Sequence, residues 1–167
     1  MRRALVLISA LLILIGVNAS IYGKEQLLKN GRVVLLELAP VDPRSLMQGD
    51  YMALRFKAAN DAFGARIGER QLPSDGRLVL LLDDRNVAAF KRFDDGALLS
   101  ASEVVIRYRI RGDQPKFATN AFFFKEGHAE DYASARFGEF RVAGNGECLL
   151  TGLRDKDLKQ LGPQAVR

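Results

Sequence analysis

Val104-Val105-Ile106-Arg107-Tyr108-Arg109-Ile110-Arg111 has the clearest two-residue period in the chain. Side chains alternate across a strand, so Val104, Ile106, Tyr108 and Ile110 share one face, and Arg107, Arg109 and Arg111 share the other. A helix would put Arg107 and Arg109 on opposite sides. The stretch therefore reads as a strand with one face on a core and a row of cations on the other.

The neighbouring segments read the same way. Gly112-Asp113-Gln114-Pro115 is a turn, and Phe117 to Phe124 carries four aromatics and reads as a buried strand. Upstream, Leu78 to Leu82 is a continuous apolar run, expected of a strand covered on both faces. Asp83-Asp84-Arg85-Asn86 supplies turn residues, and Val87 to Phe93 returns as its hairpin partner. Downstream, Ala129, Tyr132, Ala133 and Phe137 fall at helical spacing, which predicts a short helix after Gly127. Phe140 to Val142 and Cys148 to Leu153 flank Gly144-Asn145-Gly146, and Asn-Gly between apolar runs is a strong hairpin signal. Nearer the N-terminus, Val33 to Leu38 and Tyr51 to Phe56 are further strand candidates. The polar tail after Arg154 is expected to fray. The chain is thus expected to be mainly β, an antiparallel sandwich or partly closed barrel of about six to eight strands with one short helix.

The first residues follow other rules. Met1-Arg2-Arg3 precedes a stretch in which no charge occurs from Ala4 to Gly23. As a helix, those residues cover roughly 30 Å, the thickness of a bilayer's hydrocarbon layer. Residues 1–23 read as a membrane anchor, 24–31 as a helical stem that Gly31 ends, and 32–167 as one β-rich domain. Val17-Asn18-Ala19 also suits a signal peptidase, so cleavage after Ala19 is the alternative to an uncleaved anchor. Arg2 and Arg3 stay on the cytoplasmic side, which sends the domain across the cytoplasmic (inner) membrane to the periplasm or exterior.

The 167-residue chain carries a formal charge of +5. Without Arg2 and Arg3, 23 basic residues face 20 acidic ones, a net +3. That balance gives no reason to expect a nucleic acid partner. With Cys148 the only cysteine, no intramolecular disulfide forms, and the fold must rest on its core.

The most distinctive stretch is Asp42-Pro43-Arg44-Ser45-Leu46-Met47-Gln48-Gly49-Asp50-Tyr51-Met52-Ala53-Leu54-Arg55-Phe56. Pro43 fixes a backbone angle, Asp42 suits a turn, and Gly49 permits a positive φ before the strand. Met52, Leu54 and Phe56 face one way, with Asp50 at the end of that face. Arg44 is its expected partner, a turn-and-strand lock, and the Asp50-Tyr51 edge is the alternative binding surface. The segment resembles the signature of the GDYXXLXY domain family. The likeness runs through Gly49, Asp50, Tyr51 and Leu54 and departs at Phe56, where the signature has tyrosine. Phe122 to Glu130 and Leu149 to Leu153 resemble further blocks of the family. The resemblance implies an anchored extracytoplasmic protein, often encoded beside multi-span membrane proteins, and no reaction.

Chemistry is sparsely represented. Pro43, Leu46 and Gly49-Asp50 are also similar to the pattern that follows the nucleophilic serine of type I signal peptidases, but Pro40 stands where that serine would be. Ser45 with Lys91 or His128 is the pairing a hydrolase would need. His128 and Cys148 are the only residues of their kinds and lack paired ligands, so neither a metal nor another cofactor is expected. Asp83-Asp84 and Asp94-Asp95 read as solvated loop carboxylates. The candidate binding residues are therefore Arg44, Asp50, Tyr51, Arg107, Arg109 and Arg111. The arginine row either stands in solvent or meets anionic headgroups or an acidic partner surface. The expected function is a non-enzymatic membrane-anchored accessory domain that binds or supports a multi-span membrane protein. A hydrolase acting on the envelope, or a degenerate signal-peptidase-like protein, is the alternative.

Overall fold

The computed structural model describes residues 2–39, 51–64, 73–112 and 114–162. Anchor and stem form one continuous helix, α1 (Arg2–Asn30). Its stretch Val6–Asn30 is long and apolar enough to cross a membrane. At its end the Gly31 amide donates to the Leu27 carbonyl at 2.9 Å, and Leu27 is buried against the domain.

Seven strands build one curled sheet: β1 (Arg32–Glu37), β3 (Asp75–Leu82), β4 (Val87–Phe93), β5 (Glu103–Arg111), β6 (Gln114–Lys116), β8 (Phe137–Val142) and β9 (Cys148–Arg154). Their order is β6-β5-β3-β4-β1-β8-β9. Two more, β2 (Tyr51–Ala53) and β7 (Ala121–Phe123), pair as a small separate sheet. The larger sheet curls into a half-barrel. Its β5 comes round to the β8–β9 turn, where the Arg107 amide donates to the Gly146 carbonyl at 2.8 Å. The hairpins expected at β3–β4 and β8–β9 are both present. One pairing departs from the antiparallel expectation: β1 lies parallel to β4. A parallel pair needs a long crossover, and the excursion through β2 and β3 supplies it.

The core fills the concave side. Val104, Ile106 and Tyr108 of β5 are buried there with Leu78 and Leu80 of β3, Val34 and Leu36 of β1, and Phe140 of β8. Phe56 is at the centre, with ring centroids 5.4 Å from Phe140 and 6.0 Å from Phe117. A second aromatic group joins Phe63, Phe93 and Tyr108. Met52, Leu54 and Phe56 are all buried, as their shared face predicts.

Four local expectations are corrected. First, a second helix, α2 (Lys57–Phe63), follows Phe56 and buries Ala58, Ala59, Ala62 and Phe63. Phe56 caps it without a side-chain hydrogen bond, so no capping residue announces the helix. The helix expected after Gly127 is a single 3-10 turn, Ala129–Tyr132. Second, Phe117 to Phe124 is not one buried strand. Ala118 takes a positive φ, the Thr119 hydroxyl bonds to Ala121, and the chain changes sheets, leaving Phe117 buried and Phe123 exposed. Third, Asp94 is nearly buried against Arg77 at 2.7 Å rather than solvated. Fourth, the tail after Arg154 is folded as far as Gly162. The Asp155 carboxylate accepts the Asp157 and Lys159 amides, the Leu161 amide donates to the Leu153 carbonyl at 2.9 Å, and Leu161 packs on the core.

Glu103, at the start of β5, is the buried charged residue among those described. Its carboxylate accepts from Lys91 Nζ at 2.6 Å and from the Ser100 amide at 2.9 Å. The Lys91 bond, followed by the Ser100 bond, holds its pKa below the ordinary glutamate value. A depressed pKa means that the folded state resists protonation. The stabilisation is therefore present at neutral pH and is lost as the pH falls through and below the ordinary glutamate range. Acid titration followed by thermal melting should show the parent losing stability more steeply there than Glu103→Gln. Parallel curves would remove Glu103 from the acid response.

Candidate functional site

The outer face of β5 carries the cations. Strand register sets Arg107 opposite Arg77 and Arg109 opposite Asp75 on β3, while Lys116 of β6 lies beside Arg109. Further along the same face, Val105 and Val79 pair in register and are buried. The connection from β4 to β5 passes this face of β3: the Asp94 carboxylate meets the Arg77 side chain at 2.7 Å, and the Ser100 amide donates to the Glu103 carboxylate at 2.9 Å.

The arginine row is not a bare solvated face. Arg109 Nε and Arg111 Nη2 share one Asp75 oxygen at 3.3 and 3.6 Å. Arg107 reaches Glu147 at 3.8 Å, and Lys24 of α1 reaches the same carboxylate at 3.6 Å. All of these pairs are well exposed, and such pairs contribute about 0–1 kcal/mol each. They bring together parts of the chain distant in sequence, namely the helix, β3, β5 and the β8–β9 turn.

These residues line a groove of about 890 Å³. Its walls come from β3, β5 and β6 on one side and from Glu147 and Cys148 on the other, and β6 and β9 are the two edges of the sheet. The groove thus follows the seam along which β5 meets the β8–β9 turn. Six cations, Lys24, Arg77, Arg107, Arg109, Arg111 and Lys116, line it against two carboxylates, Asp75 and Glu147. Asp94 answers Arg77 from outside the lining. Lys116 has no ion-pair partner among the described residues. The surplus positive charge, with planar guanidinium groups in a row, suits a ligand that presents several anionic oxygens.

The other sequence candidates lie elsewhere. Tyr51 is half-buried on β2, its ring 5.7 Å from that of Phe123, and it does not line the groove. Arg44 and Asp50 lie outside the described residues, as do Ser45, Gly49 and Pro40. Sequence reading missed Lys24, Asp75, Arg77, Lys116 and Glu147 as members of the site. Asp75 and Arg77 continue the alternation of β3, a signal obscured because its apolar run begins only at Leu78.

No hydrolytic set stands out among the described residues. Lys91 is engaged with Glu103, and His128 Nδ1 lies 2.8 Å from Asp131 in an exposed turn. No group of three His, Cys, Asp or Glu able to hold a metal occurs among the described residues. The Cys148 thiol is buried, and desolvation pushes its pKa up to about 12. Burial thus disfavours the reactive thiolate. Cys148 should therefore react with a disulfide reagent such as DTNB only when the domain opens, at a rate that follows unfolding. Rapid stoichiometric reaction of the native chain would contradict its placement in the core.

Comparison with curated proteins and with solved structures finds no match. The GDYXXLXY protein family, in contrast, matches residues 13–153, a span that runs from α1 to β9 and includes the whole arginine row. The half-barrel, its preceding apolar helix and the cationic seam are therefore features of a chain that belongs to the GDYXXLXY family.

Proposed function

We propose that the chain is a single-pass, non-enzymatic membrane protein whose half-barrel works outside the cytoplasm, against the membrane surface, as a binding module for a neighbouring multi-span membrane protein. The observation that supports this most is the join between helix and domain. Nothing flexible separates them. Lys24 engages Glu147, Leu27 packs into the domain, and Arg141 donates to the Gly31 carbonyl at 3.3 Å. Such a join holds a binding face near the bilayer instead of releasing it to search for soluble ligands.

The orientation rests on Arg2 and Arg3 preceding the charge-free run. A reporter that works only outside the cytoplasm, fused after Arg167, should be active, and the membrane-extracted chain should retain α1 by mass. Activity of a cytoplasmic reporter alone would reverse the orientation, and a new terminus at Ser20 would replace the anchor with a cleaved signal. Crosslinking of the intact protein in its native membrane should capture a multi-span protein. Stoichiometric labelling of Ser45 by a serine-reactive phosphonate, abolished by Ser45→Ala, would instead establish the hydrolase.

A further inference from the structure

We infer that the cationic seam docks on the phosphate headgroups of anionic phospholipid, in the leaflet from which α1 emerges, and that Leu98 enters the interface beside it. The inference rests on the anchored placement proposed above and gives that placement a ligand class.

Charge is the first support. Six cations line the seam against two carboxylates, and each of those carboxylates is shared between two cations. Phosphate oxygens can take the remaining guanidinium donors two at a time.

Position is the second. Lys24 is the first charged residue after the charge-free run, so in the anchored chain it stands at headgroup depth. It lines the groove itself and shares Glu147 with Arg107. Two ion pairs thus connect the membrane boundary to the arginine row. The attraction of an anionic surface is felt within about 8–10 Å at physiological salt, and residues this close to the boundary fall in that layer.

The third support is apolar. Leu98 is 98% exposed and Leu99 is 42% exposed. Both belong to the connection that leaves the cationic face at Arg77 and returns at Glu103. A lone leucine in water is ordinary. A leucine on a loop fastened to a cationic face, and ending at Glu103, whose carbonyl accepts from Arg32 just past α1 at 3.1 Å, has the two components of an interfacial contact. An acidic protein surface would answer the charge, yet it would account neither for the seam beginning at Lys24 nor for Leu98.

The test uses the full chain with Leu98→Cys, labelled with bimane; Cys148 stays silent because its thiol is buried. The chain is placed in nanodiscs of phosphatidylcholine alone, or with phosphatidylglycerol added, each containing lipid brominated near the headgroup as a quencher. Quenching should be strong only in the anionic discs and should disappear in molar salt. Combining Arg107→Gln, Arg109→Gln and Arg111→Gln should lower the docked-to-free ratio on the order of a hundredfold. The salt arm uses the parent residues at these positions, so a fault in folding of the triple variant would not decide the result. Equal quenching in both discs, or none in the anionic discs, overturns the lipid assignment. So does a label that ignores lipid but is shielded by an acidic protein in native membranes. A chain that fails to enter discs through α1 removes the anchored reading itself. One that enters and leaves the label in water removes the lipid assignment alone.

Discussion

Phe56→Ala should destabilise the half-barrel by about 3–5 kcal/mol, the range for a fully buried phenylalanine whose cavity closes only in part. Phe56 is 2% exposed, and its ring lies between those of Phe117 and Phe140. Its edge also fills the space beside Gly138, where an added Cβ would come within 3.0 Å of it. The residue has a second duty. Phe56 bridges Leu38, and its carbonyl accepts the first amides of α2, so it joins the signature segment both to the large sheet and to the helix. Denaturant unfolding should show the loss in the midpoint with little change in slope. A cost below about 1 kcal/mol would mean that the ring is not buried as described.

The second large effect is expected at the place where the sheet curls round on itself. Gly146 has φ +85°, and a Cβ there would lie 2.9 Å from Val105 and 3.3 Å from the Arg107 amide. Gly146→Val combines a left-handed backbone, costing about 1–2 kcal/mol, with overpacking, costing about 1–3 kcal/mol, so roughly 2–5 kcal/mol together. The Gly146 carbonyl also holds β5 by accepting from Arg107, so the amide of Arg107 should lose hydrogen-exchange protection well beyond its neighbours in β3. Uniform loss of protection across the sheet would show that the curl is not fastened at this point.

These two sites mark what sequence reading could and could not reach. The period of β5, the shared face of Met52, Leu54 and Phe56, and the Asn145-Gly146 turn are local patterns, legible because strand geometry repeats every two residues. The family signature was legible for the same reason, as a contiguous segment. Partner choice is not local. Nothing in Val33 to Leu38 says that β1 will lie parallel to β4 and antiparallel to β8. Helix α2 stayed hidden because Phe56 is an aromatic N-cap and supplies no capping oxygen. Asp94 read as solvated because its partner, Arg77, arrives from another strand. The site divides along the same line: the arginine row shows in one strand, whereas the seam requires Lys24 and Glu147, which lie more than a hundred residues apart.

The unbroken helix has a mechanical consequence. Seven residues lie between Lys24 and Arg32. As a flexible linker, such a stretch would let the domain wander about 15 Å from its attachment in any direction. As α-helix, Lys24 to Asn30 is a strut about 10 Å long, with its far end clamped to the sheet by Leu27 and Gly31. In the anchored chain, any tilt of the spanning segment therefore becomes an equal tilt of the half-barrel. On the proposed anchoring, the domain would behave as the short arm of a lever whose long arm lies in the lipid. Changes in bilayer thickness, which lean spanning helices over by mismatch, would swing the cationic seam toward or away from the surface without any ligand at all.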